Sequence, residues 1–436
     1  MSEKNRPRIL VISHTSFTKS DSMGGTLASY FSEYPAECLS QFYIKDMKPD
    51  IPVCRNYYCV TDRELLKKVL CPWSAAIGNV LQYDADSINE ATGVGAKSAA
   101  LGRKKYRDAA MIARYFLWKT NVWRNDRFKK WLLEVDPQVV LVQPGDFPFI
   151  MDLAVEISRN LRIPLVMHQS EAYYLKEYEK CSVSKRIYLR LFRKSYERMM
   201  RQVSHTVYLC EALARDYQKI FSSPASTIMK ATNMIPERSS RQFCSEDVRF
   251  VYGGNLSEVV GRHEPLLQLG RAIRKNGFHI DVYTMSTGAH LKDFTEENGI
   301  CLHPGVSRDE LQAIMKESDF VIHAENQSDW HKQDLKYAMS TKIADMLASG
   351  CCALVFGSEE IASIRYFKEN QLGFVLEDPN LLEQQVRALI EDHRGRERYI
   401  ENALRQAKDA HNPITNSVRM MDIIQNVWDA AKPEDR

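Results

Sequence analysis

Two stretches of this sequence concentrate side chains that handle anions and hydroxyl groups. In FVYGGNLSEVVGRHEPLLQL, a strand-like run ends at Gly253 and Gly254, and a loop then carries Arg262 ahead of an apolar helix. A guanidinium beside glycines at the mouth of a strand suits bidentate contact with a diphosphate. In FVIHAENQSDWHKQDLKYAMSTKIADMLASG, the run Phe320 to Ala324 delivers Glu325 at its carboxyl end, where open α/β sheets place ligand-binding groups. Ser340 or Thr341 then stands at an expected helix start, with Ile343, Met346 and Leu347 facing inward and Gly350 ending the helix. Lys342 and Asp345 are three apart, so they are expected on one face of that helix. With the amides of Ser340 and Thr341 they could offer positive charge to phosphate and a carboxylate to sugar hydroxyls.

The amino-terminal half carries weaker signals. Its first strand leads into HTSFTKSDSMGGTLASYF, where Gly24 and Gly25 could let backbone amides approach a phosphate at a helix start. The same pair also fits an ordinary turn between strand and helix. His168 and Glu171 follow the strand-like run IPLVM and are expected to face a ligand, although a satisfied core histidine has the same signature. Asp84-Ala85-Asp86 matches a metal-binding DxD, but no buried strand precedes it, and it is read as chance.

These candidates need a scaffold, and the chain supplies one twice. Apolar runs bounded by turn residues alternate with helical segments, the pattern of a parallel sheet with crossover helices. The first set is Arg8 to Ser13, Leu39 to Ile44, Val53 to Val60, Val139 to Gln143, Leu165 to His168, Thr206 to Cys210 and Thr227 to Lys230. The second is Val248 to Tyr252, His279 to Tyr283, Ile300 to His303, Phe320 to Ala324, Ala353 to Phe356 and Phe374 to Leu376. Between them Pro236 to Asp247 is polar and without periodicity, and is expected to be the linker. Pro413 should break the preceding helix, leaving an amphipathic segment, Ser417 to Ala431, at the end.

The stretch from Asp319 to Glu359 resembles the carboxyl-half motif of family-four-like retaining glycosyltransferases, in particular the bacterial surface-polysaccharide branch. GNLSEVVGR, the GG loop, CRNYYCVTDRELLK and IPLVMHQSE are similar to the same branch, and the resemblance is weakest from Ala75 to Trp131. It implies the GT-B architecture of two Rossmann-like domains: an acceptor-binding domain over 1–238, a nucleotide-sugar-binding domain over 239–415, and a helix over 416–436 that crosses back to the first, with a cleft between the domains. It implies transfer of a sugar from a nucleoside diphosphate sugar, guessed to be a UDP-sugar, to a glycan or lipid-linked acceptor in polysaccharide biosynthesis, as an enzyme of the hexosyltransferase type. Retention and no essential metal or other cofactor are expected.

By the same resemblance Glu325 contacts the transferred sugar and Asp345 the ribose. Glu325 and His168 are then the catalytic candidates. Gly24, Gly25, Gly254, Arg262, Ser340, Thr341, Lys342 and Asp345 are the donor-binding ones. Asp345 departs from the family's glutamate by one methylene, and the loop between the two acids is longer than usual. A catalytically silent GT-B scaffold or a sugar-nucleotide-binding protein would share these features, and catalytic turnover separates them.

At 436 residues the chain exceeds what one hydrophobic core organises, and 44% hydrophobic with 26% charged residues is average for a folded soluble chain. A net charge of +3 implies no nucleic-acid partner. The apolar run Ile9 to Ile12 is too short for a signal peptide, and the ten cysteines are scattered without zinc-type spacing, so a cytoplasmic chain without a metal is expected. Two segments, Arg103 to Trp131 and Lys185 to Arg201, interleave basic with aromatic residues. They predict a peripheral position on an anionic membrane, with Trp118, Trp123 or Trp131 inserting.

Overall fold

The computed structural model describes residues 6–74, 77–82, 107–175 and 181–432. Asp84, Asp86 and residues 103–106 lie outside the described residues. The chain divides into two compact units, Met1–Met229 with Pro413–Arg436, and Lys230–Asn412.

The first unit contains β1 (Ile9–Ser13), β2 (Leu39–Tyr43), β3 (Asn56–Cys59), β4 (Asn79–Gln82), β5 (Val139–Gln143), β6 (Leu165–Gln169), β7 (Val203–Tyr208) and β8 (Ala225–Thr227). They form one sheet in the order β4-β3-β2-β1-β5-β6-β7-β8, parallel throughout except for β3 with β4. Strands β1 and β5 are buried at every position, as expected of parallel strands covered on both faces. The antiparallel β4 escapes a periodicity search because it is an exposed edge with no apolar face. The final helix, Pro413–Ala431, belongs to this unit. Its Met420, Ile424 and Trp428 enter the core formed by Ile9, Val11, Leu27 and Leu141.

The second unit contains β9 (Phe250–Gly253), β10 (Ile280–Thr284), β11 (Ile300–Pro304), β12 (Phe320–Ala324), β13 (Cys352–Phe356) and β14 (Gly373–Leu376), all parallel. Their order is β11-β10-β9-β12-β13-β14, so strand order reverses between β9 and β12. A crevice opens at such a reversal, outside the carboxyl ends of the strands. Leu266, Leu269 and Ile273 of the His263–Lys275 helix cover one face against Phe250 and Ile322. Ile343, Met346 and Leu347 cover the other against Val321 and Val355. Cys351 and Cys352 fall on opposite faces, as strand alternation requires.

The polar stretch 236–247 is anchored within the second unit and is not its joint to the first. Arg238 pairs with Glu397 and Glu401, Ser239 Oγ donates to the Lys316 carbonyl, and Arg241 bridges Asp247 and Asp319. The chain passes between units at Met229–Lys230 and again at Asn412–Pro413.

The aromatic residues expected at a membrane are core residues. Trp118, Trp123 and Trp131 are at most 3% exposed. Trp118 stacks on Phe149 at 4.8 Å and donates its indole N–H to Asp62, Trp123 donates to the Trp118 carbonyl, and Trp131 lies 5.2 Å from Tyr58. None of the three is placed to insert into a bilayer.

Candidate functional site

The reversal between β9 and β12 brings three of the expected donor-binding residues, Gly254, Arg262 and Lys342, together with the catalytic candidate Glu325. Arg262 caps the His263–Lys275 helix, and its side chain meets Glu325, the first residue after β12. The contact is bidentate: Nε lies 2.9 Å from Oε2 and Nη2 lies 2.6 Å from Oε1. Both partners are shielded, with side-chain exposures of 15% and 3%. Such a pair offsets the cost of burying either charge alone, and breaking it exposes that cost. Glu325 holds the Arg262 guanidinium charged by raising its pKa against burial, which acts the other way.

Lys342 comes to the same place from the opposite side of the reversal. Its ammonium donates to the Gly253 carbonyl at 2.6 Å and sits 4.6 Å from the centre of the Tyr252 ring. Gly254 makes this approach possible. Its φ of +147° lies in the region that favours glycine, and a Cβ there would meet Lys342 Nζ at 1.7 Å. Burial, and then the positive field of Arg262, push the Lys342 pKa down to about 7, with Glu325 opposing. Lys342 therefore lies in the fields of both Arg262 and Glu325, poised between its charged and neutral forms near pH 7.

Two neighbours were not legible as site residues. Tyr252 is fully buried beneath Lys342 as an inward residue of β9, and burial raises its hydroxyl pKa. His323, inward on β12, bonds Ser363 Oγ through Nε2 at 3.0 Å and stands 3.6 Å from Glu325 Oε1. Burial lowers its pKa to about 4, so the ring is neutral near pH 7 despite the adjacent carboxylate. The only advance signal for either was its alternation on a strand flanking Gly253 or Glu325.

Asp345 does not share a site with Lys342. Lys342 continues the Ile343–Ala348 helix with helical dihedrals, but its ammonium goes to the Gly253 carbonyl while Asp345 turns to other partners. Asp345 receives Arg308 through both oxygens, at 2.8 and 3.1 Å, together with Gln312 Nε2 and the Thr232 hydroxyl. Its oxygens are thus occupied within the second unit. Ser340 and Thr341 make no side-chain cap: Ser340 Oγ is 3.5 Å from the Lys342 amide, and Thr341 is exposed.

The first unit's candidates have structural roles. Gly24 and Gly25 lie inside the Ser22–Ser29 helix. The Gly24 amide is capped by the Asp21 carboxylate and the Gly25 amide bonds the Asp21 carbonyl, which leaves neither for a phosphate. Gly24 is required by packing instead, because a Cβ would meet the Ser16 carbonyl at 2.3 Å. His168 is 0% exposed. Its Nε2 is 3.2 Å from Tyr30 Oη and its Nδ1 3.2 Å from Gln143 Nε2, so both nitrogens are engaged and no position is open to a substrate. Burial lowers its pKa to about 4. His14 is the residue that follows β1 at the first sheet's own reversal, beside β5. It stacks on Phe147 at 4.4 Å, and the opening SHTSF was its only trace in the sequence.

Residues 263–424 match the glycosyl transferase-like family. No curated protein sequence matches the chain. Among solved structures, sucrose-phosphate synthase from Thermosynechococcus elongatus superposes with a TM-score of 0.60 at 9% identity, over 97% of this chain and 100% of that one. HepE from Anabaena, solved with UDP, gives 0.57 at 11% identity, over 96% and 100%. WaaG, a glycosyltransferase involved in lipopolysaccharide biosynthesis, gives 0.53 at 13% identity, over 95% and 99%. At these identities the likeness establishes the fold, and the family match establishes the domain. Residues 263–424 thus form a glycosyl transferase-like domain, and the chain as a whole has the GT-B fold.

Proposed function

We propose that the chain transfers a sugar from a nucleoside diphosphate sugar, with UDP-sugars the first to test, to a glycan or lipid-linked acceptor in polysaccharide biosynthesis, retaining the anomeric configuration. The observation that carries this reading is the Arg262–Glu325 pair with Lys342 in its field, at the strand reversal of the second unit. A diphosphate would supply the negative charge that keeps the Lys342 amine protonated. HepE, solved with UDP and with UDP-glucose, supports a uridine donor by analogy.

In the reaction the bond from the sugar's anomeric carbon to the β-phosphate oxygen breaks, and its electron pair leaves with the nucleoside diphosphate. The acceptor oxygen bonds to that carbon, and its proton passes to the departing phosphate or to water. Arg262 and Lys342 stabilise charge growing on the leaving oxygen. Glu325 holds Arg262 in line and offers its carboxylate to the positive charge growing on the sugar. Because fixed cations serve the phosphate, transfer is expected to survive chelation.

Acceptor binding falls to the first unit in this reading. The Val183–Met200 helix exposes Arg186, Arg190, Arg193 and Lys194 with Ile187 at 44% and Val183 at 68%, a surface suited to an anionic membrane carrying a lipid-linked acceptor. Among the described residues no helix is long and apolar enough to cross a membrane. Co-sedimentation with anionic liposomes, reversed by salt, is the expected behaviour, and indifference to them at low salt would favour a soluble acceptor.

The test of function is release of nucleoside diphosphate from a panel of UDP-, GDP- and ADP-sugars, with and without EDTA. Turnover of at least one donor that persists in EDTA and is lost in Glu325→Gln is expected. Binding without turnover of any donor would identify a silent scaffold.

A further inference from the structure

The outer edge of the second sheet holds a second group of polar side chains, unrelated to the phosphate cluster. Ile280, Val282 and Ile300 point into the core from β10 and β11. Alternation therefore turns Asp281, Tyr283, Cys301 and His303 to the other face, and His279, two residues before Asp281, joins them. The parallel register sets Asp281 opposite Cys301 and Tyr283 opposite His303. The donor atoms of His279, Asp281 and Cys301 all lie within 4.8 Å of one another. His303 Nε2 lies 2.7 Å from Asp281 Oδ1, and its ring stacks on Tyr283 at 4.6 Å and 15°.

We propose that His279, Asp281 and Cys301 bind one divalent ion of the zinc class, with His303, which lies outside that close trio but on Asp281, turning in as the fourth ligand. Bond lengths of about 2.0–2.3 Å in a tetrahedral zinc site put neighbouring ligand atoms roughly 3.5 Å apart. The His279, Asp281 and Cys301 atoms lie within 4.8 Å and the His303–Asp281 pair is closer, at 2.7 Å, so binding would draw the trio in and open that hydrogen bond by rotation of Asp281, His303 and His279, which are 32–53% exposed. A hydrogen-bonded His303–Asp281 pair would need neither the thiol nor the second imidazole. Thiolate and imidazole also select zinc or cobalt over magnesium or calcium. The ion would join β11, the edge strand, to β10 by a cross-strand clamp. Sequence spacing conceals the site, because its halves, His279-x-Asp281 and Cys301-x-His303, are brought together only by the strand register.

This inference stands apart from the transfer reaction, and its test uses the full-length, tag-free, metal-stripped chain titrated with cobalt(II) and then zinc. One cobalt per chain is expected, with the strong visible bands of a tetrahedral centre and a near-ultraviolet thiolate-to-cobalt band, all displaced by zinc. Cys301→Ser should abolish the near-ultraviolet band. His279→Ala, at an exposed position, should keep the fold, as checked by circular dichroism, and lower affinity by more than the roughly 10–100-fold that outer-shell partners cost. Zinc should raise the melting temperature of the wild type and of neither variant. A thiolate band surviving in Cys301→Ser, a weak octahedral spectrum, or no stoichiometric cobalt would overturn the proposal.

Discussion

At the carboxyl end of the first sheet the polar groups close on one another: His168 lies between Tyr30 and Gln143, and Asp21 holds the Gly24 amide. At the carboxyl end of the second, Arg262 pairs with Glu325, and Lys342 lies in the field of both while bonded to the Gly253 carbonyl. The contrast separates a closed network from an open one. A histidine with both nitrogens engaged has already met its partners, whereas a buried lysine with its pKa held down to about 7 beside an Arg–carboxylate pair can take up a proton together with an anion. The two Arg–carboxylate pairs of the second unit each have a lysine in their field, Lys230 beside Arg308–Asp345 and Lys342 beside Arg262–Glu325, and they differ in that Asp345 also receives Gln312 and Thr232.

The sharpest way to break this comparison is to remove the phosphate partner. Arg262→Ala should weaken nucleoside diphosphate binding by about 2–5 kcal/mol in calorimetric titration. The double variant Arg262→Ala with Glu325→Gln should recover much of the lost stability, since no orphaned charge is then buried, without recovering affinity. Unchanged affinity in the single variant would return Arg262 to a purely structural role.

Glu325→Gln should lower turnover by about 10²–10³-fold, the loss typical of one aligned electrostatic group, while nucleotide still binds. Initial rates beside a binding isotherm check the split, and equal loss of both would indicate a folding role.

His168→Ala sharpens the first-unit side of the comparison. Leaving buried partners unsatisfied should cost about 1–3 kcal/mol of stability in denaturant titration, with turnover per folded molecule unchanged. A collapse of turnover at full stability would restore His168 as catalytic.

The smallest effect is a pH dependence. With the Lys342 pKa held down to about 7, binding of a diphosphate should draw a proton onto its amine above that pH. Affinity should then fall by up to about 1.4 kcal/mol, tenfold, per pH unit as pH rises above 7. Stability of the free protein runs the other way. Between about 7 and the ordinary lysine value the unfolded chain binds the extra proton, so the contribution of Lys342 to stability increases with pH. Lys342→Met should flatten both dependences, measured by calorimetry and thermal melting across pH 6–9.

Much of the scaffold was legible because parallel strands buried on both faces leave unbroken apolar runs. Phe320–Ala324 is read to the residue, and Gly350, at φ +78°, ends the helix that Ile343 begins. Residue types at the site were legible too, since glycines and an arginine after a strand have few uses. Their pairing was not: Arg262 and Glu325 are 63 positions apart, and only the β9–β12 neighbourhood joins them. Helix spacing misled for Lys342 and Asp345 because tertiary partners, the Gly253 carbonyl for one and Arg308 for the other, decide where the two side chains go. Aromatic residues among cations misled at Trp118 and Trp131 because that pattern fits a buried cluster under a charged surface as well as it fits an interfacial helix.

The most direct test of the central claim, that the Arg262–Lys342–Glu325 cluster holds a nucleoside diphosphate, is thermal denaturation of the wild type with nucleoside diphosphates beside their parent nucleosides. At 100 times its dissociation constant, one diphosphate should stabilise the protein by about 2.7 kcal/mol, while its nucleoside, lacking the phosphates, gives little or nothing at the same concentration. Equal stabilisation by nucleoside and diphosphate, or a melting temperature that no diphosphate moves, would contradict it.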